Sequence, residues 1–218
     1  MSINPQLIPI KKDSETIRKT VLTNIVKMLT ERGWIKRDKM SHSINKVVDT
    51  VTDDNQYKIE LDVNVKSTNN DKTFEGRYVV VKLIPQKVTG FNKSPLIKDF
   101  LDNNIKQHKI IVFDGISEKA KHFIENTPNV EVFIEPFFMI NIIEHIDSPQ
   151  YQVMSDDDIE QLLKTYNVKR NQLEKIQDSD PICKYYNLKR GNILRIIRNS
   201  EQTGIGIAYR IVVKGSSS

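Results

Sequence analysis

Hydrophobic residues recur at helical spacing near the start of the chain. Ile17, Val21, Leu22, Ile25, Val26, Met28 and Leu29 form one stripe, with Asp13 or Ser14 placed to cap it. The pattern predicts a helix stopped by Gly33, with Trp34 and Ile35 folding back onto the stripe. From Tyr57 to Lys66 the period becomes two. Tyr57, Ile59, Leu61, Val63 and Val65 share one face, while Lys58, Glu60, Asp62, Asn64 and Lys66 share the other, which predicts a strand with one wet side. Asn69, Asn70 and Asp71 mark a turn, and the stretch from Arg77 to Ile84 is then almost continuously apolar, as in a mid-sheet strand covered on both faces. Ser94-Pro95 opens a helix carrying Ile97, Phe100, Leu101 and Ile105; a strand follows from Lys109 to Phe113, a helix from Ser117, and a strand from Asn129 to Ile134. Strands alternating with short helices make this an α/β region with some parallel pairing.

Past Phe138 the pattern changes. Ser148-Pro149 interrupts the apolar stretch, and a helix begins at Ser155, whose hydroxyl caps it while Asp156, Asp157 and Asp158 put negative charge at the positive end of its dipole. Its expected buried stripe is Ile159, Leu162, Leu163 and Tyr166. Asp180-Pro181 starts a short helix that leaves through a left-handed Asn187. Two strands close the pattern, from Ile193 to Arg198 and from Ile205 to Val213, with Ile205, Ile207, Tyr209, Ile211 and Val213 on one face. Residues 1–142 thus read as an α/β domain, 143–214 as a small α+β domain, and 215–218 as a disordered tail.

Of the 218 residues, 38% are hydrophobic, enough to build cores at this length and to exclude collagenous and disordered classes. One cysteine, Cys183, forms no internal disulfide, so an intracellular setting is expected. No apolar run is long enough to span a bilayer and the N-terminus lacks a secretory core, so no membrane partner is expected. The net charge of +5 is uneven: residues 11–46 hold ten Lys/Arg against four Asp/Glu, while residues 141–214 hold eleven against ten. The positive field therefore belongs to the N-terminal part and suits a polyanion, or else a solvated helix face.

Candidate chemistry is sparse. His42, His108, His122 and His145 stand singly without metal-ligand spacing and read as structural, and Cys183 reads as an inert buried thiol. No phosphate-cradling glycine motif occurs, and no cofactor or small-molecule substrate is expected. A basic α/β domain could be a metal-dependent nuclease, yet no [Asp/Glu]-x-Lys triplet occurs; the nearest approach, Glu75-Gly76-Arg77, ends in an arginine that cannot release a proton.

A gap-free series of residues runs through the C-terminal part: Ser155 with Asp157, Leu162-Leu163-Lys164, Tyr166, Gln172-Leu173, Ile176-Gln177 and Asp180-Pro181. It continues with Leu188-Lys189-Arg190-Gly191, Ile196-Ile197-Arg198, Ser200-Glu201, Gly204 and Tyr209-Arg210. This series resembles the assembly domain of the fifth subunit of eukaryotic nuclear RNA polymerases, a domain with an archaeal counterpart. The basic helix ending in Glu31-Arg32-Gly33-Trp34, followed by an α/β region, is similar to the jaw domain of the eukaryotic form, which the archaeal form lacks. The resemblance implies an α/β jaw with an endonuclease-like fold lacking an active site, plus a small α+β assembly domain. It implies a non-catalytic polymerase subunit whose C-terminal domain docks on the largest subunit, among other polymerase subunits, and whose jaw lies beside downstream duplex DNA.

Lys189, Arg190, Arg195, Arg198 and Arg210 are the expected subunit contacts, since each offers charge-assisted hydrogen bonds. The jaw loop facing DNA in the family commonly reads Thr-Pro-Ser-Ala; here it is Ser117-Glu118-Lys119-Ala120, which nominates Ser117, Lys119 and Lys121 as DNA-proximal while Glu118 opposes contact. Other departures are His145-Ile146-Asp147-Ser148-Pro149-Gln150-Tyr151 in place of His-Glu-Leu-Val-Pro-Lys-His, Asp178 where a basic residue is usual, and Gln202 for threonine. Twenty-nine isoleucines, twelve leucines and eighteen asparagines suit an AT-rich coding sequence, from a large DNA virus or an AT-rich protist. A viral source implies virions or host cytoplasm, and a cellular one the nucleus. The alternative from another class is a free-standing DNA-binding transcription regulator.

Overall fold

The computed structural model describes residues 13–62, 77–89, 95–200 and 204–215, in two compact units, Met1–Ile140 and Asn141–Ser218. In the first unit, helix α1 (Ser14–Glu31) starts where the Asp13 carboxylate accepts the Thr16 N–H at 3.1 Å. Six of the seven expected stripe residues are buried; Ile17 is half-buried and borders a surface cleft. Gly33, with φ +75°, ends the helix in the left-handed conformation that a side chain would strain. Helix α2 (Met40–Asp49) leads to strand β1 (Gln56–Glu60), where Tyr57 and Ile59 are buried and Lys58 and Glu60 exposed. The strand ends before Leu61, and the expected Val63 to Lys66 continuation, like the turn at 69–71, lies outside the described residues.

Strand β2 (Tyr78–Val88) sits inside the sheet, as its apolar run requires, with Val79, Val80 and Val81 fully buried. Its register against β3 (His108–Ile116) shifts between Ile84 and Lys87, where Pro85 has no N–H to give the ladder. Helix α3 (Pro95–Asn103) precedes β3, and helix α4 (Glu118–Glu125) joins it to β4 (Val130–Ile134). The sheet order is β1-β2-β3-β4, with the first pair antiparallel and the next two parallel. One face packs Val80, Ile111, Phe113 and Val132 against Ile97, Phe100 and Leu101 of α3 and Ile124 of α4. The other face, with Val79, Val81, Ile110 and Val112, is also buried, and α1 lies on that side. Ile105 corrects the sequence expectation: α3 ends at Asn103, so Ile105 falls past the helix and is 66% exposed.

The second unit holds β5 (Gln150–Val153), α5 (Asp156–Tyr166), β6 (Glu174–Gln177), α6 (Pro181–Tyr185), β7 (Ile193–Ser200) and β8 (Gly204–Val213). Both caps form as the residues dictate: Ser155 Oγ accepts from Asp158 N–H, and Asp180 Oδ1 accepts from Ile182 N–H at 2.8 Å. Asn187 is left-handed at φ 50°. The sheet order is β5-β7-β8-β6, with β6 parallel to β8 and the other pairs antiparallel. Strands β5 and β6 escaped the hydrophobic pattern because each has only four residues.

The core of this unit joins Ile176, Leu194, Ile196 and Val212 to Cys183 and Leu188 around α6. Thus the face carrying Ile205, Ile207, Tyr209, Ile211 and Val213 is the opposite one, and Ile205 and Ile207 are exposed. Alternation shows which residues share a face; the covering helix decides which face is core. Tyr166, expected in the buried stripe of α5, is 63% exposed near the Tyr209 ring. Gly215, expected in the disordered tail, donates its N–H to Asp178 Oδ1 at 2.9 Å, while residues 216–218 lie outside the described residues.

Candidate functional site

The five basic residues expected at a subunit interface occupy three places. Lys189 and Arg190 are exposed in the turn between α6 and β7, where Lys189 N–H donates to Asn192 Oδ1 and Gly191, at φ +89°, turns the chain. Arg190 is paired with Asp178 at 3.1 Å. Asp178 therefore serves the fold: bonds from the Gly215 N–H and the Arg190 guanidinium hold its carboxyl below the usual aspartate range. Arg210 stands directly opposite Glu174 across the β6–β8 pair and bonds it at 3.1 Å. Arg198, opposite Gly206, is exposed and has no ion pair among the described residues. Arg195 lies on the other face in a cross-strand row, Gln152–Arg195–Tyr209. Its Nε is buried without a hydrogen-bond partner among the described residues.

The three DNA-proximal candidates share the start of α4. Ser117 is its cap: the hydroxyl donates to Thr89 O at 3.0 Å and accepts from Ala120 N–H at 3.3 Å. Lys119 is exposed, whereas Lys121 is mostly covered and lies 3.6 Å from Glu118. Two lysines and a glutamate within one turn offer a weak positive field.

Sequence reasoning missed a buried polar cluster on the α1 side of the N-terminal sheet. Arg32 donates two parallel bonds to Glu131, Nη1 to Oε1 at 2.7 Å and Nη2 to Oε2 at 2.8 Å, and its side chain is only 2% exposed. His108 Nε2 lies 2.6 Å from Glu131 Oε1, Trp34 stands edge-on to His108, and the Arg32 guanidinium lies 5.4 Å from the Trp34 ring centre. Burial alone would raise the Glu131 carboxyl, but the Arg32 charge and the His108 bond overrule it and hold it well below the usual range. These groups bond one another, so the cluster fastens the end of α1 to β3 and β4.

Lys109 is another buried cation. Its ammonium donates to the carbonyls of Asn104, Gln107 and Ile105 beyond α3, and burial pushes it down to about 8. Cys183 is buried, and burial followed by the Asp180 and Asp178 charges pushes its thiol up to about 12, which leaves it protonated and inert. A cleft of about 550 Å³ opens at the carboxyl ends of β2 and β3 and holds Arg18, Asp114 and Glu135. Arg18 is committed to the carbonyls of Val48 and Thr50. Glu135 is raised by burial and by Asp114, so the cleft does not favour a second anion.

The profile of the family described as RNA polymerase Rpb5, C-terminal domain matches residues 140–212. The DNA-directed RNA polymerase subunit 5 of Acanthamoeba polyphaga mimivirus is 31% identical over 218 residues, spanning 98% of this chain and 100% of that protein. Subunit RPABC1 of DNA-directed RNA polymerases I, II and III from Caenorhabditis briggsae is 31% identical over 205 residues, 90% of this chain and 94% of the relative. The archaeal DNA-directed RNA polymerase subunit Rpo5 of Methanocaldococcus jannaschii is 37% identical over 75 residues, only 34% of this chain but 96% of its own length. With relatives of one kind matching its sequence over nearly the whole length, the chain belongs to the family of fifth subunits of DNA-directed RNA polymerases.

Proposed function

We propose that this polymerase subunit is non-catalytic: its C-terminal unit docks on the largest subunit, and its N-terminal unit is the jaw beside downstream duplex DNA. The observation that carries the reading is the end-to-end match to the mimivirus subunit, together with archaeal relatives that match a third of this chain over nearly their whole length and a C-terminal domain family that matches residues 140–212. A module that stands by itself in archaea is the natural anchor, and the added unit is free for a second task. Arg198 and Lys189 are exposed cations without an ion-pair partner among the described residues, and Ile205 and Ile207 are exposed apolar residues on the other face of the hairpin that carries Arg198. Cations and apolar side chains together suit a protein partner more than bare phosphate.

In the N-terminal unit, Lys119 and Lys121 at the start of α4 are the candidates for approach to duplex phosphates, and Ser117 supports them as the helix cap. That the jaw has no nuclease active site agrees with the absence of any [Asp/Glu]-x-Lys triplet from the sequence. A viral source, with the polymerase in virions or host cytoplasm, is favoured by the isoleucine and asparagine bias; the nucleus is the alternative for a cellular source.

The test is to purify the polymerase from its source and follow this chain with Arg198→Glu substituted. Wild type co-purifies in constant ratio with the largest subunit, and the variant is depleted while remaining folded. A polymerase purified without the wild-type chain would refute the reading. Binding of the isolated chain to duplex DNA with a steep salt dependence set by residues 11–46 would favour a free-standing regulator.

A further inference from the structure

Beneath α5, on the face of the C-terminal sheet opposite α6, a cavity of about 310 Å³ opens to the surface. Its floor is the row Gln152–Arg195–Tyr209 on β5, β7 and β8, and its wall includes Asp158, Gln161 and Thr165 of α5. Arg195 is the cavity's cation, and its buried Nε has no hydrogen-bond partner among the described residues. Both cross-strand neighbours are neutral. The facing carboxylate, Asp158, belongs to the helix cap, where Ser155 Oγ donates to its Oδ2 at 2.6 Å and its backbone N–H returns a bond to Ser155. It makes no ion pair with Arg195.

A part-buried guanidinium with no hydrogen bond or ion pair among the described residues is costly, and chains keep such a group where something outside the fold completes it. We propose that this cavity is a receptor for one carboxylate side chain, an aspartate or glutamate presented by a neighbouring polymerase subunit, with Arg195 as its anchor. The inference rests on the reading of the chain as a docked polymerase subunit and adds the chemistry of one contact. A planar carboxylate matches the guanidinium end, where the two Nη groups can each donate a bond. Gln152, Gln161, Thr165 and Tyr209 supply neutral polar groups around it. A phosphate is disfavoured, because its larger charge would meet Asp158 across the same small space. The free edge of β5, bordering the cavity at Gln152 and Val153, leaves a path for an approaching chain.

The test uses intact polymerase assembled with the full chain. Wild type and Arg195→Met, carrying distinguishable tags, are expressed together, and their ratio is measured in purified polymerase. The variant is expected to be depleted at least tenfold while its melting temperature stays equal to or above wild type, since an unbonded part-buried charge has been removed. Equal incorporation overturns the proposal, and so does a lowered melting temperature, which would assign Arg195 to the fold. In a second arm, polymerase containing Arg195→Lys is treated with a carbodiimide, which joins amines to carboxylates in direct contact. Mass spectrometry should find the introduced lysine linked to an aspartate or glutamate of another subunit. A link to Asp158 alone, no link, or loss of DNA affinity in place of incorporation overturns it. Failure of the wild-type chain to enter polymerase is a separate result, and would refute the docking reading itself.

Discussion

In the N-terminal unit the Arg32 guanidinium is sealed against Glu131 and His108, and the Lys109 ammonium against three carbonyls. In the C-terminal unit Lys189 and Arg198 face solvent and Arg195 keeps an unbonded nitrogen under α5. Both units hold basic residues, and the net count does not separate these uses. What separates them is how far each cation is satisfied by its own fold. A satisfied buried cation shapes the unit that contains it, and an exposed or unsatisfied one is available to another molecule.

The sharpest way to break this contrast is Glu131→Ala. It leaves Arg32 buried without its partner and should cost about 3–5 kcal/mol, read by chemical denaturation. If the loss is small, the N-terminal cations are no more structural than the C-terminal ones. Lys109→Met should come next, at about 1–3 kcal/mol, because three carbonyls lose their donor. Its pH dependence has a definite sign. Between about 8 and the ordinary lysine value of 10.5, the folded chain sheds a proton that the unfolded chain keeps, so wild-type stability gains from rising pH and the methionine variant lacks that gain.

Smaller effects belong to the second unit. Asp180→Ala removes the cap of α6 and should cost about 1 kcal/mol in thermal melts. Asp178→Asn should cost less than about 1 kcal/mol, since its partner Arg190 is well exposed. The Asp178 carboxyl is lowered in the folded chain, so its contribution is in place at neutral pH and lost as pH falls below 3.8; the two proteins should converge in acid. Smallest of all, Arg198→Glu should change stability by no more than about 0.5 kcal/mol. A larger loss would show that Arg198 serves the fold and would blur the comparison.

The elements that residues announce locally were legible. Alternation at Tyr57 to Leu61, the apolar run of β2, the caps at Ser117, Ser155 and Asp180, and the left-handed Asn187 all depend on neighbours within a few positions. The Arg32–Glu131 pair was not legible, because its members are 99 residues apart and neither carries a local mark. Strands β5 and β6 had too little length for a period to show. Among the site candidates, the sequence did not show that the five basic residues fall in different places. Strand parity alone puts Arg195 on one face of β7 and Arg198 on the other, and cross-strand acids claim Arg210 and leave Arg198 alone.

Strand β8 is the last strand of its sheet in sequence, yet it lies between β7 and β6. A ribosome therefore delivers β6 and β7 before the strand that joins them, and until Gly204–Val213 emerges each lacks that neighbour. A chain cut anywhere ahead of that strand would present bare backbone edges to its neighbours. Maturation of this unit is bound to follow that of the N-terminal one, whose own strands are complete some seventy residues earlier.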